Sequence, residues 1–452
     1  MNFDTMATQE CSNSPSNSTS NSPSNSTSNS PSNSHLKSTS PLREDPQQKK
    51  DGEDDWETGQ SRAPEQRFCT PGYVCPVRER MKHFTWAWFA ATISTGVLGL
   101  LFKNTPHRFK GLNTIGKAAF IMAIVMFVLS IATITYRFVK TPRGLRTSLI
   151  HPTESLFFPA FLLSIAIILA NSAIYGVPAC GPWLPVALRV CFWIYAALAL
   201  LSAVIQYTIV FNGAKLSIKS MSPLWTFPIF PTLLTGVVAS TIAPSQPPSQ
   251  RLPILVAGVT YLGLGFSVAF VLYSLYLYRL TQEGFPAPPM RPGMFIAVGP
   301  PGFTATGLIA LSRSIPVDYA YFARNPAAVD ILKVMALWIG IWVWALAFWF
   351  FAFSAVALTM GILKHRIRFS MAWWALVFPN TAFTLATCLI GEELESEGIE
   401  DVASAMTILI VIGWFVVAFS HIRAVVRSKV LWPGRDEDFG HYNPDKSGSH
   451  RV

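Results

Sequence analysis

The chain has 452 residues, of which 51% are apolar and 13% are charged, and it carries a formal net charge of +10. An average soluble domain has about 25% charged residues, so this composition excludes an ordinary soluble protein and predicts a polytopic membrane protein. The positive charge does not indicate nucleic-acid binding, because the Lys and Arg residues lie in short loops between long apolar segments, where membrane proteins concentrate them.

The N-terminal part of the chain differs in composition from the rest. Ser12–Ser34 repeats the octapeptide SNSPSNST and offers no apolar side chain to a core, which predicts a disordered tail over 1–66. A ten-helix membrane domain is predicted over 67–430, followed by a short second tail over 431–452.

Ten apolar segments follow the N-terminal tail. A helix that crosses a bilayer needs about 18–20 residues, and the segments that meet this length lie at 84–102, 115–136, 155–175, 184–211, 224–243, 254–279, 292–312, 330–360, 371–391 and 402–426. The predicted fold class is therefore all-α and integral to the membrane, with ten transmembrane helices arranged as five helical hairpins.

Prolines inside these spans follow the parity of the span. They interrupt the third, fifth, seventh and ninth spans, while the first span carries two glycines and the even-numbered spans have proline only at their edges. Proline removes a backbone donor and clashes with the preceding turn, and freed backbone groups in hydrocarbon need other partners or a wet cavity. The pattern predicts kinked odd-numbered helices around a central pore, inside a ring of straight even-numbered helices.

The seventh span contains the strongest of these interruptions. Gly299-Pro300-Pro301-Gly302 lies in its middle, and we expect a second half-helix to begin near Gly302, Phe303 and Thr304. The free N–H groups and positive dipole end of such a half-helix would suit an anion.

Hydroxyl and amide side chains gather beside the breaks, and two interpretations of them remain open. They could face a polar path, or they could bond to carbonyls of their own helix. The residues that we predict to line the path are Thr95, Gly96, Pro159, Pro228, Pro231, Thr232, Gly299, Pro300, Pro301, Gly302, Phe303, Thr304, Pro379, Asn380 and Thr381.

No Asp or Glu lies in the central part of any span. Carboxylates within the membrane commonly mark proton relays, so their absence favours a path for an anion, with any coupled proton carried on the substrate as its monoprotonated acid. The nearest ionisable pair is His151 and Glu154, which would share a helix face at the inner mouth of the third span. The alternative for this pair is a capping and loop role.

Other chemistry is not indicated. No Cys/His spacing suggests a metal, and the chain contains no nucleotide-binding or hydrolase motif, so we expect no cofactor and no enzyme activity. An acidic run at 391–401 is expected to be a solvated loop, with local pH or cation sensing as the alternative.

Lys and Arg residues are more numerous at one set of span ends, which predicts cytosolic N- and C-termini and fits a multi-pass protein of the plasma membrane. The basic loop after the first span is an exception to this rule.

Five segments together resemble the tellurite-resistance/dicarboxylate transporter family, which includes fungal malic acid permeases, fungal sulfite efflux pumps and plant slow anion channels. The segments are FTWAWFAATISTGVLGLL at 84–101, HPTESLFFPAF at 151–161, PLWTFPIFPTLLTG at 223–236, GPPGFTATGLIALS at 299–312 and WWALVFPNTAF at 373–383. The resemblance implies five hairpins around a pore, and possible assembly as a homotrimer with one pore in each subunit. It also implies a phenylalanine gate on the ninth helix, for which Phe378 is the matching residue and Phe383 the alternative.

The resulting hypothesis is a membrane transporter of small organic anions, most readily C4-dicarboxylates such as malate. A sulfite efflux pump and an exporter of an acidic secondary metabolite are the alternatives on the same fold. A membrane-embedded enzyme would need an acid, base or metal cluster within the spans, which the sequence does not contain.

Overall fold

The computed structural model describes residues 76–141, 144–151, 153–213, 217–364 and 369–432. The predicted N-terminal tail lies outside these residues, as does the predicted C-terminal tail apart from Leu431 and Trp432.

Within the described residues, ten helical segments are long and apolar enough to cross a membrane. They are Trp86–Asn104, Leu112–Lys140, Ser155–Gly176, Trp183–Asn212, Pro223–Ser245, Pro248–Glu283, Pro288–Ser312, Ala327–Lys364, Met371–Glu393 and Glu397–Val426. The prediction of ten spans is confirmed. A short helix at Val77–Arg80 precedes the first span, and two others lie between spans at Gly144–Ile150 and Ala320–Arg324.

The spans form two rings that follow parity. In the most apolar window of each odd-numbered span, 61% to 94% of the residues are buried, against 17% to 33% in the even-numbered spans. Large apolar side chains of the even-numbered spans are exposed, for example Leu129, Trp342 and Phe419. Such a surface is unfavourable in water and suits lipid, so the even-numbered helices form the outer ring and the odd-numbered helices the inner ring.

The odd-numbered spans share a local structure that the even-numbered spans lack. Each begins as a 3₁₀-helix and continues as an α-helix, with the 3₁₀ segments at Trp86–Trp88, Ser155–Phe157, Pro223–Ile229, Pro288–Val298 and Met371–Leu376. The α-helices that follow are Phe89–Asn104, Pro159–Asn171, Phe230–Ile242, Gly299–Ser312 and Phe378–Glu393. In the last four, a proline occupies the first or second position, where its missing N–H is not needed. These prolines therefore begin an α-helix instead of kinking one.

The seventh span corrects one prediction. Its α-helix begins at Gly299, not near Gly302, and the Gly299 N–H already donates to the Ile296 carbonyl of the 3₁₀ segment. Pro300 and Pro301 have no N–H. Residues 299–301 therefore offer no free backbone donor to an anion.

The acidic run at 391–401 is also mostly helical. Glu392 and Glu393 end the ninth span, and Glu397 and Glu400 occupy the first turn of the tenth span. Negative charge at a helix N-terminus interacts favourably with the helix dipole. Arg313, at the end of the seventh span, donates to Glu392 at 2.7 Å and to Glu393 at 2.5 Å. The run thus joins three spans at one face of the bundle.

Candidate functional site

A cavity lies where the first halves of all five odd-numbered spans converge. It is small, with a volume of about 20 Å³, and is lined by Ala90, Ile93, Ser94, Phe157, Phe227, Ile296, Met371, Ala372, Trp374, Ala375, Phe378 and Pro379. None of these residues is charged. We call this space the axial cavity, and we call the side of the bundle at which the odd-numbered spans begin the proximal face.

An aromatic cluster lies at the α-helical side of the axial cavity. Phe378 packs against Phe303 with 5.0 Å between ring centroids, and against Phe230 with 6.1 Å. The three rings come from the ninth, seventh and fifth spans and are buried. Gly299 allows this packing, because a Cβ there would lie 2.8 Å from Phe230 Cζ. We refer to Phe230, Phe303 and Phe378 as the aromatic plug.

Phe383, the alternative gate residue, lies elsewhere. Its ring packs against Trp344, Phe348 and Phe351 of the eighth span at 5.2 to 6.4 Å. These three residues belong to the outer ring, so Phe383 joins the two rings, while Phe378 lines the axial cavity.

The predicted path hydroxyls bond to their own helices. Thr232 donates to Ile229, Thr304 to Pro300 and Thr381 to Val377. Thr95 donates to the Ala91 carbonyl and accepts a hydrogen bond from Trp414 of the tenth span. In this conformation these hydroxyl protons are not available to an anion. The geometry agrees with the interpretation in which the hydroxyls bond to carbonyls of their own helix.

The remaining predicted path residues differ in their surroundings. Gly96 packs against the third span, since a Cβ there would lie 2.6 Å from Ile167 Cγ2. Gly302 packs in the same way against the backbone of Phe383 at 2.8 Å, and Asn380 donates to the Leu376 carbonyl at 2.9 Å. The remaining predicted residues are buried prolines. Pro228 lies inside the 3₁₀ segment Pro223–Ile229, and the prolines at the starts of α-helices are Pro159, Pro231, Pro300, Pro301 and Pro379. Of the predicted set, Phe378 and Pro379 line the axial cavity.

Trp374 and Ser94 were missing from the predicted path. Trp374 lines the cavity, and its indole N–H donates to Nδ1 of the buried His421 at 3.3 Å. The Ser94 hydroxyl donates to the Trp374 carbonyl at 3.2 Å. Trp374 precedes the break at Pro379 by five residues, and Ser94 lies in the first turns of the first span. These positions are the only sequence signal for the two residues.

The predicted inner-mouth pair has a structural role. Glu154 is fully buried, forms a two-point ion pair with Arg137 and accepts a hydrogen bond from Ser148 at 2.8 Å. Arg137 also donates to the Phe84 carbonyl. His151 Nδ1 accepts the Glu154 backbone N–H at 3.2 Å, which is the capping role. The charge of Glu154 is thus held by Arg137, and the inner-mouth role of the pair stays a prediction.

An uncharged cavity between five buried helices, inside a shell of lipid-facing helices, is the arrangement of a multi-pass membrane protein. The chain belongs to the voltage-dependent anion channel family, whose model matches residues 83–422. The family resemblance drawn from the sequence is thereby confirmed, and membership makes the chain a membrane protein for the transport of anions.

Relatives of this chain are named for the transport of two different substrates, and another is an uncharacterized transporter. The chain is 33% identical over 364 residues to a malic acid transport protein of Schizosaccharomyces pombe, covering 80% of this chain and 83% of the relative. It is 24% identical over 343 residues to a sulfite efflux pump of Trichophyton rubrum, covering 75% and 89%. It is also 22% identical over 358 residues to an uncharacterized transporter of Methanocaldococcus jannaschii, covering 78% and 97%.

Proposed function

We propose that this protein moves C4-dicarboxylates such as malate through the axial cavity, with Phe378 as the gate. The observation that carries the proposal is the cavity itself, which all five inner helices build, which no carboxylate lines and which Phe378 closes on one side. The predicted residues of the seventh and ninth helices beyond the plug, such as Thr304 and Thr381, continue the path.

An anion in a widened axial cavity would need no cationic partner. Aromatic rings carry a positive edge and a negative face, so an anion that met the edge of Phe157 or Phe227 would be weakly attracted. Weak attraction suits conduction, because a bound ion also has to leave. With Phe378 in place the constriction is narrow and apolar, and such a constriction blocks ions by steric bulk and by dewetting.

Malate is preferred over sulfite on the strength of similarity. The relative named for malic acid transport is 33% identical to this chain, and the relative named for sulfite efflux is 24% identical. The uncharged lining of the axial cavity does not discriminate between the two anions. Sulfite, and an acidic secondary metabolite, are the alternative substrates.

The test is tracer flux in proteoliposomes that contain the purified full-length chain. Malate flux should saturate and exceed sulfite flux, and it should rise from pH 8 towards mildly acidic pH, where the monoprotonated acid is abundant. Empty vesicles provide the baseline. Sulfite flux without malate flux would assign the protein to the alternative substrate, and a malate flux that rises steadily towards pH 8 would exclude a proton carried on the substrate.

Topology and assembly belong to the same proposal. The excess of Lys and Arg at the proximal face supports cytosolic termini, and the proposed location is the plasma membrane. Assembly as a homotrimer is proposed from the family resemblance alone. If an impermeant reagent labelled a tag at residue 30 in intact cells, the N-terminus would be outside and the proposed orientation would be wrong. A native mass spectrum without a trimer would exclude that assembly.

A further inference from the structure

The proline breaks leave one carbonyl of the seventh span without any helical donor. In a 3₁₀-helix the Ala297 carbonyl would accept from residue 300, and in an α-helix from residue 301. Both residues are prolines and have no N–H. A buried carbonyl without a partner is costly, so another group has to meet it.

The outer ring provides that donor. The hydroxyl of Tyr273, on the sixth span, donates to the Ala297 carbonyl at 2.9 Å, and both residues are buried. The Tyr273 ring packs against Phe350 of the eighth span with 4.5 Å between centroids, which holds the hydroxyl in place. The Ala297 carbonyl is therefore directed towards the outer ring.

The same arrangement recurs in one other inner helix. Tyr207 of the fourth span donates to the Trp225 carbonyl at 3.0 Å, and the 3₁₀ donor for that carbonyl would be residue 228, which is proline. Gln206 donates to the Ser155 carbonyl, but this carbonyl also accepts the Phe158 backbone N–H at 3.1 Å and so keeps a helical donor. At Ala297 and Trp225, a tyrosine of the outer ring meets a carbonyl whose 3₁₀ donor position is proline.

Both of these carbonyls lie next to the axial cavity along the chain. Ala297 follows the cavity-lining Ile296, and Trp225 precedes Phe227 by two residues. A carbonyl oxygen carries partial negative charge. If it turned towards the cavity in search of water, it would repel an anion there.

We propose that Tyr273 and Tyr207 are positioning residues that hold the carbonyls at the proline breaks away from the anion path. This inference rests on the proposed function, since the path has to carry an anion for the direction of these dipoles to matter. The outer ring then does more than shield the inner helices from lipid, because it also sets the electrostatics of the cavity.

The first test compares Tyr273→Phe with Tyr276→Phe. Both tyrosines are buried on the sixth span, but the Tyr276 hydroxyl has no hydrogen-bond partner within the described residues. In proteoliposomes, Tyr273→Phe should raise the KM for the transported anion about five-fold, as expected for one lost hydrogen bond, with little change in the maximal rate. Tyr276→Phe should leave both unchanged. A purely structural role for Tyr273 would lower the maximal rate without moving KM.

The second test restores the missing donor. Pro301→Ala supplies an N–H that can reach the Ala297 carbonyl, so Tyr273→Phe should change KM by less than about two-fold in that background. The same comparison can be made without transport, by measuring Tm for the wild type, the two single variants and the double variant. Tyr273→Phe should lower Tm in the wild-type background and much less beside Pro301→Ala.

Several results would overturn the inference. They are an unchanged KM in Tyr273→Phe, an equal effect of Tyr276→Phe, and effects of Tyr273→Phe and Pro301→Ala that simply add in KM and in Tm. Failure of the substrate proposal is a separate outcome. If the wild-type protein carries sulfite and not malate, the same KM cycle is read with sulfite, and its result still decides the role of Tyr273.

Discussion

Replacing Phe378 by alanine should raise anion flux several-fold at matched protein density in the membrane. The ring lines the axial cavity and packs against Phe303 and Phe230, so its removal joins the cavity to the space beyond the plug. A core Phe→Ala change destabilises a protein by about 3–5 kcal/mol. We expect less here, because one side of the ring already borders a cavity. The measurement is tracer flux or anion current in proteoliposomes.

Phe383→Ala is the matched control for this prediction. It removes the same side chain from the same helix, but from the cluster with Trp344, Phe348 and Phe351. It should lower Tm without raising flux. A large rise in Phe383→Ala with none in Phe378→Ala would move the gate, and no rise in either variant would mean that an aromatic gate does not control this protein.

Arg137→Met should cause the largest loss of stability among single substitutions at the proximal face. The guanidinium is buried against the fully buried Glu154 carboxylate, and removing one partner of a buried ion pair costs about 3–5 kcal/mol because the other charge stays behind. The expected result is a markedly lower Tm, or loss of the monodisperse peak in size-exclusion chromatography in detergent.

The control for Arg137→Met neutralises both members of the pair. Arg137→Met combined with Glu154→Leu should recover part of the lost stability, since no uncompensated charge remains. Recovery should be partial, because the Phe84 carbonyl and the Ser148 hydroxyl each lose a partner. A double variant that is less stable than Arg137→Met alone would contradict the account of this ion pair.

The two-ring architecture could be predicted because proline acts on the backbone in every context. Four of the five inner helices carry prolines at their breaks, and in each of the four a proline occupies the first or second position of the α-helix. The same property explains the error at Gly302. A pair of prolines suits the first positions of a helix, so the helix begins at Gly299 before them.

The lining of the cavity could not be predicted from the sequence. The converging first halves of the inner helices are 3₁₀ segments with three residues per turn, so an α-helical wheel assigns their faces wrongly. The prediction also selected hydroxyl and amide side chains beside the breaks, and the apolar Met371, Ala372 and Trp374 are not of that kind. The hydroxyl of Thr232 or Thr304 can donate to its own helix or to a path, and composition does not distinguish these choices.

The partner of Glu154 was hidden for a different reason. Arg137, Lys140, Arg143 and Arg146 all lie in one short stretch before it, and any of them could reach the carboxylate on spacing alone. The fold selects Arg137, which the end of the second span brings against the start of the third. The sequence predicted an acidic side chain near the inner mouth, but the ion pair depends on tertiary packing.

The central claim is that anions pass through the axial cavity, and blocking that cavity in an open protein tests it most directly. The protein for this measurement carries Phe378→Ala and Ala372→Cys, with its six native cysteines replaced. Flux is recorded before and after labelling from the proximal face with a negatively charged, impermeant methanethiosulfonate, and labelling is confirmed by mass spectrometry. The account predicts that the added negative charge reduces anion flux to the level of empty vesicles, while a positively charged reagent of similar size leaves most of it. Undiminished flux through fully labelled protein would contradict the account, because the anions would then cross by another route.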